Sequence, residues 1–350
     1  MFHYLKEKIE NELIEFTRDI DRLYNLKNIS PLLSNAIKEY ILRAGKRIRP
    51  ILFVVGYLGF SKKAAPGLYR SALAAELLHD FMLIHDDIID KSPSRRGKPS
   101  MHKMLGNYLS GYQNIKFNGQ DLSLVVGDVM YAIAIKAFLS VKEDMHRKEK
   151  AQNKFIEAAI YTGAGEFIEL LNGVKDIEQI SRKDIYKIYD YKTSIYTFST
   201  PLASGAILAG AGRGEVDKLF NYGLYLGRAF QIKDDILGMF GNEKMIGKSV
   251  LSDLQEAKRT ILIWQAYNNS AKKEKLVIRK LLTKKRITKS DLAKMRRIIE
   301  QSGGLDSALR EITRFREKAQ DLIRSSRINK KYQKFLLRYP EEILSVNLLP

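Results

Sequence analysis

The 350-residue chain contains no cysteine, one tryptophan and eight prolines. Without thiols there are no disulfides and no thiolate metal sites, so oxygen donors and five histidines are the only metal chemistry left. Sparse proline leaves room for long helices. Pro31 and Pro50 flank one segment, Pro66 precedes the run from Leu68 to Asp90, and Pro93 and Pro99 follow it, places where a helix would start or stop. Strict apolar-polar alternation is missing, and so are repeats of solenoid length. The amino terminus lacks the basic-then-apolar order of a signal peptide, so export is not expected and a cytoplasmic location is. The longest uncharged stretch, Thr193 to Gly212, carries Pro201 and three glycines, and reads as a buried helix kinked at Pro201 rather than a membrane span.

What is present is a large apolar fraction, 45%, enough to bury a substantial core. Apolar residues recur at three and four spacing in Leu122–Val141, Lys154–Leu171, Arg182–Ala209 and Val216–Phe240. The same spacing continues in Lys258–Asn268, Glu274–Leu282, Asp291–Gln301 and Leu305–Ser325. An all-α fold is expected over one domain, residues 1–350, with a basic helical portion from about residue 270. Gly106 to Asp121, rich in Gly, Asn and Tyr, reads as a surface loop. The net charge is +20, and from Lys258 onward 24 Lys and Arg stand against 9 Asp and Glu. Such a surface can draw in anionic lipid and so permits peripheral membrane contact. Exposed aromatics interleaved with the charge are missing there, which argues against nucleic acid.

The chemistry is concentrated in His85-Asp86-Asp87-Ile-Ile-Asp90, followed by Arg95-Arg96-Gly97, with a second acidic pair at Asp234 and Asp235. At about 100° per residue, Asp86 and Asp90 project about 40° apart, one turn from each other on one helix face. Two such carboxylates repel unless a hard divalent cation lies between them, and magnesium takes only one or two protein carboxylates while leaving positions for phosphate oxygens. Adjacent arginines supply planar forks for phosphate. The pattern reads as a diphosphate held between metal and guanidinium.

Further elements follow in order: Gly45-Lys46-Arg47-Ile-Arg49-Pro50, Glu76-Leu-Leu-His79, Lys192-Thr193, Phe230-Gln231, Gly247-Lys248 and Ala257-Lys258-Arg-Thr260. Taken together, residues 40 to 265 resemble the trans-isoprenyl diphosphate synthases, the polyprenyl synthetase family, and in particular the archaeal-type geranylgeranyl diphosphate synthases. The resemblance implies a mostly antiparallel helical bundle around a central catalytic cavity, a homodimer, and magnesium-dependent transfer of an allylic group onto isopentenyl diphosphate. It also implies roles. Asp86, Asp90 and Asp234 would bind magnesium, with Asp87 and Asp235 in support. Arg95 would grip the allylic diphosphate, with Lys258 further out. Lys46, Arg49, His79 and Arg96 would hold isopentenyl diphosphate, while Lys192, Thr193, Gln231 and Lys248 would stabilise the departing diphosphate.

Two departures stand out. Gly238 and Asn242 occupy places where many members carry acids, which bears on the third metal, and Gly106 to Asp121 looks like an insertion. By the same resemblance Phe81 and Met82 set the floor of the product cavity and point to a twenty-carbon product. Farnesyl or longer-chain synthesis, and a non-catalytic partner subunit, are the alternatives. A phosphohydrolase using His79, His85 and Asp86 would leave Arg95, Arg96 and the second Asp pair without a purpose, and a terpene cyclase would ordinarily carry Asn, Ser and Glu in its second metal motif.

Overall fold

The computed structural model describes residues 1–241 and 250–345. It is all-α apart from one two-stranded hairpin, as the absence of alternation predicts. The chain divides into two compact units, residues 1–153 with 204–211, and residues 154–203 with 212–350. The chain passes between them within the helices α8 (Met145–Val174) and α10 (Thr200–Leu208).

In the first unit, α1 (Phe2–Tyr24) buries Leu5, Ile9, Leu13, Phe16 and Ile20, a single stripe at four and three spacing. Full burial of each large side chain contributes about 1.5–3 kcal/mol. Two short helices, α2 (Leu26–Ile29) and α3 (Pro31–Ile41), lead to α4 (Ile48–Leu58), which is buried at nine of eleven positions. At the centre lies α5 (Leu68–Ile89), whose Ala72, Ala74 and Ala75 are buried among larger neighbours and whose acids Glu76, Asp80 and Asp87 are buried with them. Gly67, at φ 78, precedes it in a left-handed conformation, and a Cβ there would strike the Ser140 carbonyl.

After α5 comes the hairpin of β1 (Ser94–Arg95) and β2 (Lys98–Pro99), then α6 (Met101–Leu109) and α7 (Gly119–Phe138). The loop expected over Gly106 to Asp121 is shorter than the composition suggests. Residues 106–109 remain in α6, and Asn118 starts α7 through a capping box, its side chain accepting from the Gln120 and Asp121 N–H groups while Asp121 accepts from the Asn118 N–H.

In the second unit the predicted helix from Arg182 is present as α9 (Arg182–Ile188), an eleven-residue π-helical stretch (Tyr189–Ser199) and α10. Pro201, expected to kink this helix, is the second residue of α10, just past the π-helical stretch. Such wide turns are rare and concentrate at functional sites. The π-helical stretch packs on α11 (Arg213–Phe240) through two glycines one turn apart, with Gly223 against Ser199 and Gly227 against Ser194. Helices Ile261–Asn269, Lys272–Leu282, Lys289–Gln301, Gly304–Arg324 and Lys330–Leu344 complete the unit. Among the described residues, no helix is long and apolar enough to cross a membrane.

Because a Cβ at Gly227 would overlap the backbone of Ser194, Gly227→Val is expected to lower unfolding free energy by about 3 kcal/mol. Gly163→Ala, at a helical position with open space, is expected to raise it by about 0.5–1 kcal/mol. Urea unfolding followed by circular dichroism measures both.

Candidate active site

The first aspartate run forms the last turn of α5, where the Asp90 N–H donates to the Asp86 carbonyl at 2.8 Å. The hairpin then folds back on this helix end. Its connecting residues, Arg96 and Gly97, both have positive φ, 55° and 74°, the pattern of a two-residue type I′ turn. Glycine adopts it freely, whereas arginine is held there at a cost of about 1 kcal/mol or more. The turn parts the two arginines. Arg95 Nε donates to Asp87 Oδ1 at 2.9 Å, and its Nη2 lies 3.4 Å from Asp86 Oδ2. Arg96 Nη2 instead lies 3.1 Å from Asp80 and 3.5 Å from Glu76.

The three acids of the motif are therefore not equivalent. Asp87 is fully buried; burial raises its carboxyl above the ordinary range, and Arg95 opposes the rise. Asp86 and Asp90 remain part-exposed at the helix end. About three turns back along α5, Arg47 is enclosed, donating to Glu76 at 2.8 Å, to Glu10 at 2.9 Å and to the Arg43 carbonyl at 2.6 Å. Burial would drive its proton off, but the two carboxylates hold its pKa above the usual guanidinium value. Burial, and then the guanidiniums of Arg49 and Arg96, push His79 well below its ordinary pKa, so it is neutral at pH 7. Burial pushes Asp80 up to about 7 while Arg96 pulls against it. Lys46 is exposed and Arg49 half-buried, so of the GKRIRP cluster Arg47 is the structural member.

Phe81 and Met82 are half-buried. The Phe81 ring lies 4.7 Å from His85 and 5.1 Å from Tyr131 of α7, measured between centroids, so Tyr131 is a further aromatic beside the expected floor residue. His85 Nε2 is 3.9 Å from Asp128, and the ring packs where a side chain at Gly127 would stand. His85 is thus turned toward α7.

In the second unit Lys192 and Thr193 lie on the π-helical stretch. Lys192 pairs with Glu166 and Glu169 of α8. Thr193 Oγ1 donates to Gln231 Oε1 at 2.7 Å, and Gln231 Nε2 donates to Asp235 Oδ1 at 3.0 Å. The Tyr189 hydroxyl donates to the other Asp235 oxygen and accepts from the Ile261 N–H at 2.8 Å. Burial pushes Asp235 up to about 8, the bonds from Tyr189 and Gln231 lower it, and Asp253 and Asp234 raise it. Asp234, next in sequence, is exposed. Lys258 is half-buried and lies 2.8 Å from Glu256. Lys248 and Asn242 fall outside the described residues. At Gly238 a Cβ would meet the carboxylate of Asp253, so a side chain there would require the Asp253 side chain to turn aside, and an acid already stands beside the place of the missing third one.

Among the described residues no three acidic or histidine side chains converge closely enough to enclose a metal ion. The phosphohydrolase grouping of His79, His85 and Asp86 is accordingly not assembled. The donor set still suits a hard divalent cation, because Asp86 and Asp90 are paired carboxylates one turn apart, and magnesium takes few protein ligands.

The model of the polyprenyl synthetase family matches residues 30–299. The chain belongs to this family. It is 32% identical to the geranylgeranyl diphosphate synthase of Saccharolobus solfataricus, over 77% of this chain and 76% of that protein. It is also 32% identical to the geranylfarnesyl diphosphate synthase of Aeropyrum pernix, over 83% and 86%. In fold it is similar to the crystal structure of geranylgeranyl pyrophosphate synthase from Corynebacterium glutamicum complexed with isoprenyl diphosphate and magnesium, with a TM-score of 0.89, 23% identity and coverage of 99% and 100% of the two chains.

Sequence reasoning about this polyprenyl synthetase missed Glu10, Asp80, Glu166, Glu169, Tyr189 and Asp253. Glu166 and Glu169, three apart on a helical pattern, could have been found as a pair sharing a face; the others are brought in by tertiary packing. Tyr189→Phe strands a buried carboxylate oxygen and a buried N–H at once, and is expected to cost about 2–4 kcal/mol. Its unfolding midpoint in urea against wild type is the measurement.

Proposed function

We propose that this protein joins isopentenyl diphosphate head to tail with an allylic diphosphate, in trans geometry, and that its main product is geranylgeranyl diphosphate. The carrying observation is the division of labour in the first motif, where Asp87 is spent on Arg95 while Asp86 and Asp90 stay part-exposed. Membership of the family, and the names of relatives at 32% identity, support the same reading.

Breaking the allylic carbon-oxygen bond leaves a carbocation and places new negative charge on the departing diphosphate. Magnesium, when bound by Asp86, Asp90 and Asp234, would offset that charge as it develops. Arg95 and Lys258 grip the allylic diphosphate, and Lys192, Thr193, Gln231 and Lys248 serve the leaving group, Gln231 through Thr193 and Asp235. Lys46, Arg49, Arg96 and the neutral His79 hold isopentenyl diphosphate. Cations fixed in advance where charge appears stabilise the transition state more than the ground state. The proton lost after coupling passes to the released diphosphate, so no side-chain base is required. The setting is cytoplasmic.

A second copy of the chain is the proposed partner. Along α8, Ile160, Phe167, Leu171 and Val174 repeat at seven, four and three and are 63%, 64%, 47% and 85% exposed. Phe167→Glu combined with Leu171→Glu is expected to halve the mass measured by light scattering on a sizing column.

Activity is tested by mixing purified protein with magnesium, isopentenyl diphosphate and allylic primers of five, ten and fifteen carbons, then separating extracted products. A twenty-carbon product that disappears on chelation is expected; phosphate or pyrophosphate release without chain growth would sink the reading. In the same assay Phe81→Ala, which opens space beside Tyr131, should lengthen the main product by at least one five-carbon unit, and an unchanged product ladder would count against Phe81 as the floor.

A further inference from the structure

A buried aspartate that no motif required stands beside the first site. Asp80 is fully buried in α5, one turn after Glu76, and both acids lie against the same nitrogen of Arg96, at 3.1 and 3.5 Å. Glu76 is divided, since it also accepts from Arg47 at 2.8 Å. Arg96 Nη2 makes its long hydrogen bond to Glu76, and Asp80, whose two oxygens have no hydrogen-bond partner among the described residues, is the nearer charge to the same nitrogen, as an ion pair. The guanidinium is held by one corner while its backbone sits at positive φ in the hairpin turn, so neither end is free to drift. Its other terminal nitrogen, Nη1, is buried with no hydrogen-bond partner among the described residues.

A buried guanidinium N–H without an acceptor is costly, and such a group in a native fold calls for a ligand. The acceptor that suits a planar cationic fork is a phosphate oxygen. We propose that Asp80 is a positioning residue, which fixes Nη2 of Arg96 so that Nη1 is presented to the diphosphate of the isopentenyl substrate. This rests on the reading of Arg96 as a grip on that diphosphate. The pairing also explains why an acid is tolerated beside an anion site. Asp80 acts on the far corner of the guanidinium, and the net charge of Glu76, Asp80, Arg47 and Arg96 is zero when all four are ionised.

The test uses steady-state kinetics of the full chain with both substrates varied, and calorimetric binding of isopentenyl diphosphate alone. Asp80→Ala is expected to raise KM and Kd for isopentenyl diphosphate about tenfold, which is about 1.4 kcal/mol. The allylic KM and kcat should stay within about twofold. Asp80→Asn, which keeps an acceptor oxygen of the same reach, should recover most of the affinity. Asp80→Glu, which keeps the charge but displaces it by one methylene, should not. An unchanged or lower KM for isopentenyl diphosphate in the alanine variant would overturn the proposal. So would an asparagine variant as impaired as alanine, or parallel loss of kcat, both KM values and melting temperature. A wild type that makes no longer prenyl product would sink the functional reading and this inference with it. A wild type that does, beside an unaffected Asp80→Ala, would sink the inference alone.

Discussion

The carboxylate of Glu76 holds together three segments that are distant in sequence. It sits in the middle of α5 at 2% exposure, accepts from Arg47 at the end of the α3–α4 connection, and lies within ion-pair distance of Arg96 in the hairpin. Arg47 in turn reaches Glu10 of α1. Removing an ion from water costs several kcal/mol even after relaxation, so a buried charge calls for an opposite charge beside it. In the alternation Glu10, Arg47, Glu76, Arg96, Asp80 the three inner members are paired on two sides, while Glu10 ends the chain part-exposed and Asp80 ends it against Arg96. Its consequence reaches the surface, because the hairpin that carries Arg96 also carries Arg95, and Arg95 orders the aspartates at the helix end.

The second unit solves a similar problem differently. Asp235 has no cation beside it in the bonds described; a tyrosine hydroxyl and a glutamine amide satisfy its oxygens, and burial shifts it toward the neutral form. Neutral donors suit a carboxylate whose work is to brace Gln231 and the π-helical stretch. They would not suit one that must stay ionised, and the exposed neighbour Asp234 is the member left for that. Two adjacent aspartates on a helix point about 100° apart, so one sequence pair supplies one inward and one outward acid. The same split separates Asp87 from Asp86.

This geometry sets how much could be read beforehand. Most helices of the second unit were legible to within a few residues because their apolar stripes are long and their starts carry caps such as Ser181 and Thr288, but Lys330–Leu344, which runs through Pro340, and the single turn Ser252–Gln255 were not. The aspartate and arginine motifs were legible because their spacing is local. The opposite directions of Arg95 and Arg96 were not, although Arg-Gly before Lys-Pro was available as a turn signal; positive φ at an arginine is imposed by the hairpin and not by the residue's own preference. The short length of the loop before α7 was hidden because glycine and asparagine serve equally as loop residues and as helix starts, and Asn118 and Gly119 are the latter.

Gly238 shows the limit from the other side. Read as a lost acid, it weakens the second motif; read with its surroundings, it leaves the space that the Asp253 carboxylate occupies against α11. An aspartate at 238 would have to turn aside the Asp253 carboxylate, which is carried on the short helix Ser252–Gln255, and would set a second acid against it. The acid has not vanished from the neighbourhood of Asp235 but arrives from another segment, and its field on Asp235 is felt as a raised pKa. A count of aspartates within the motif therefore undercounts the negative charge that the fold gathers there.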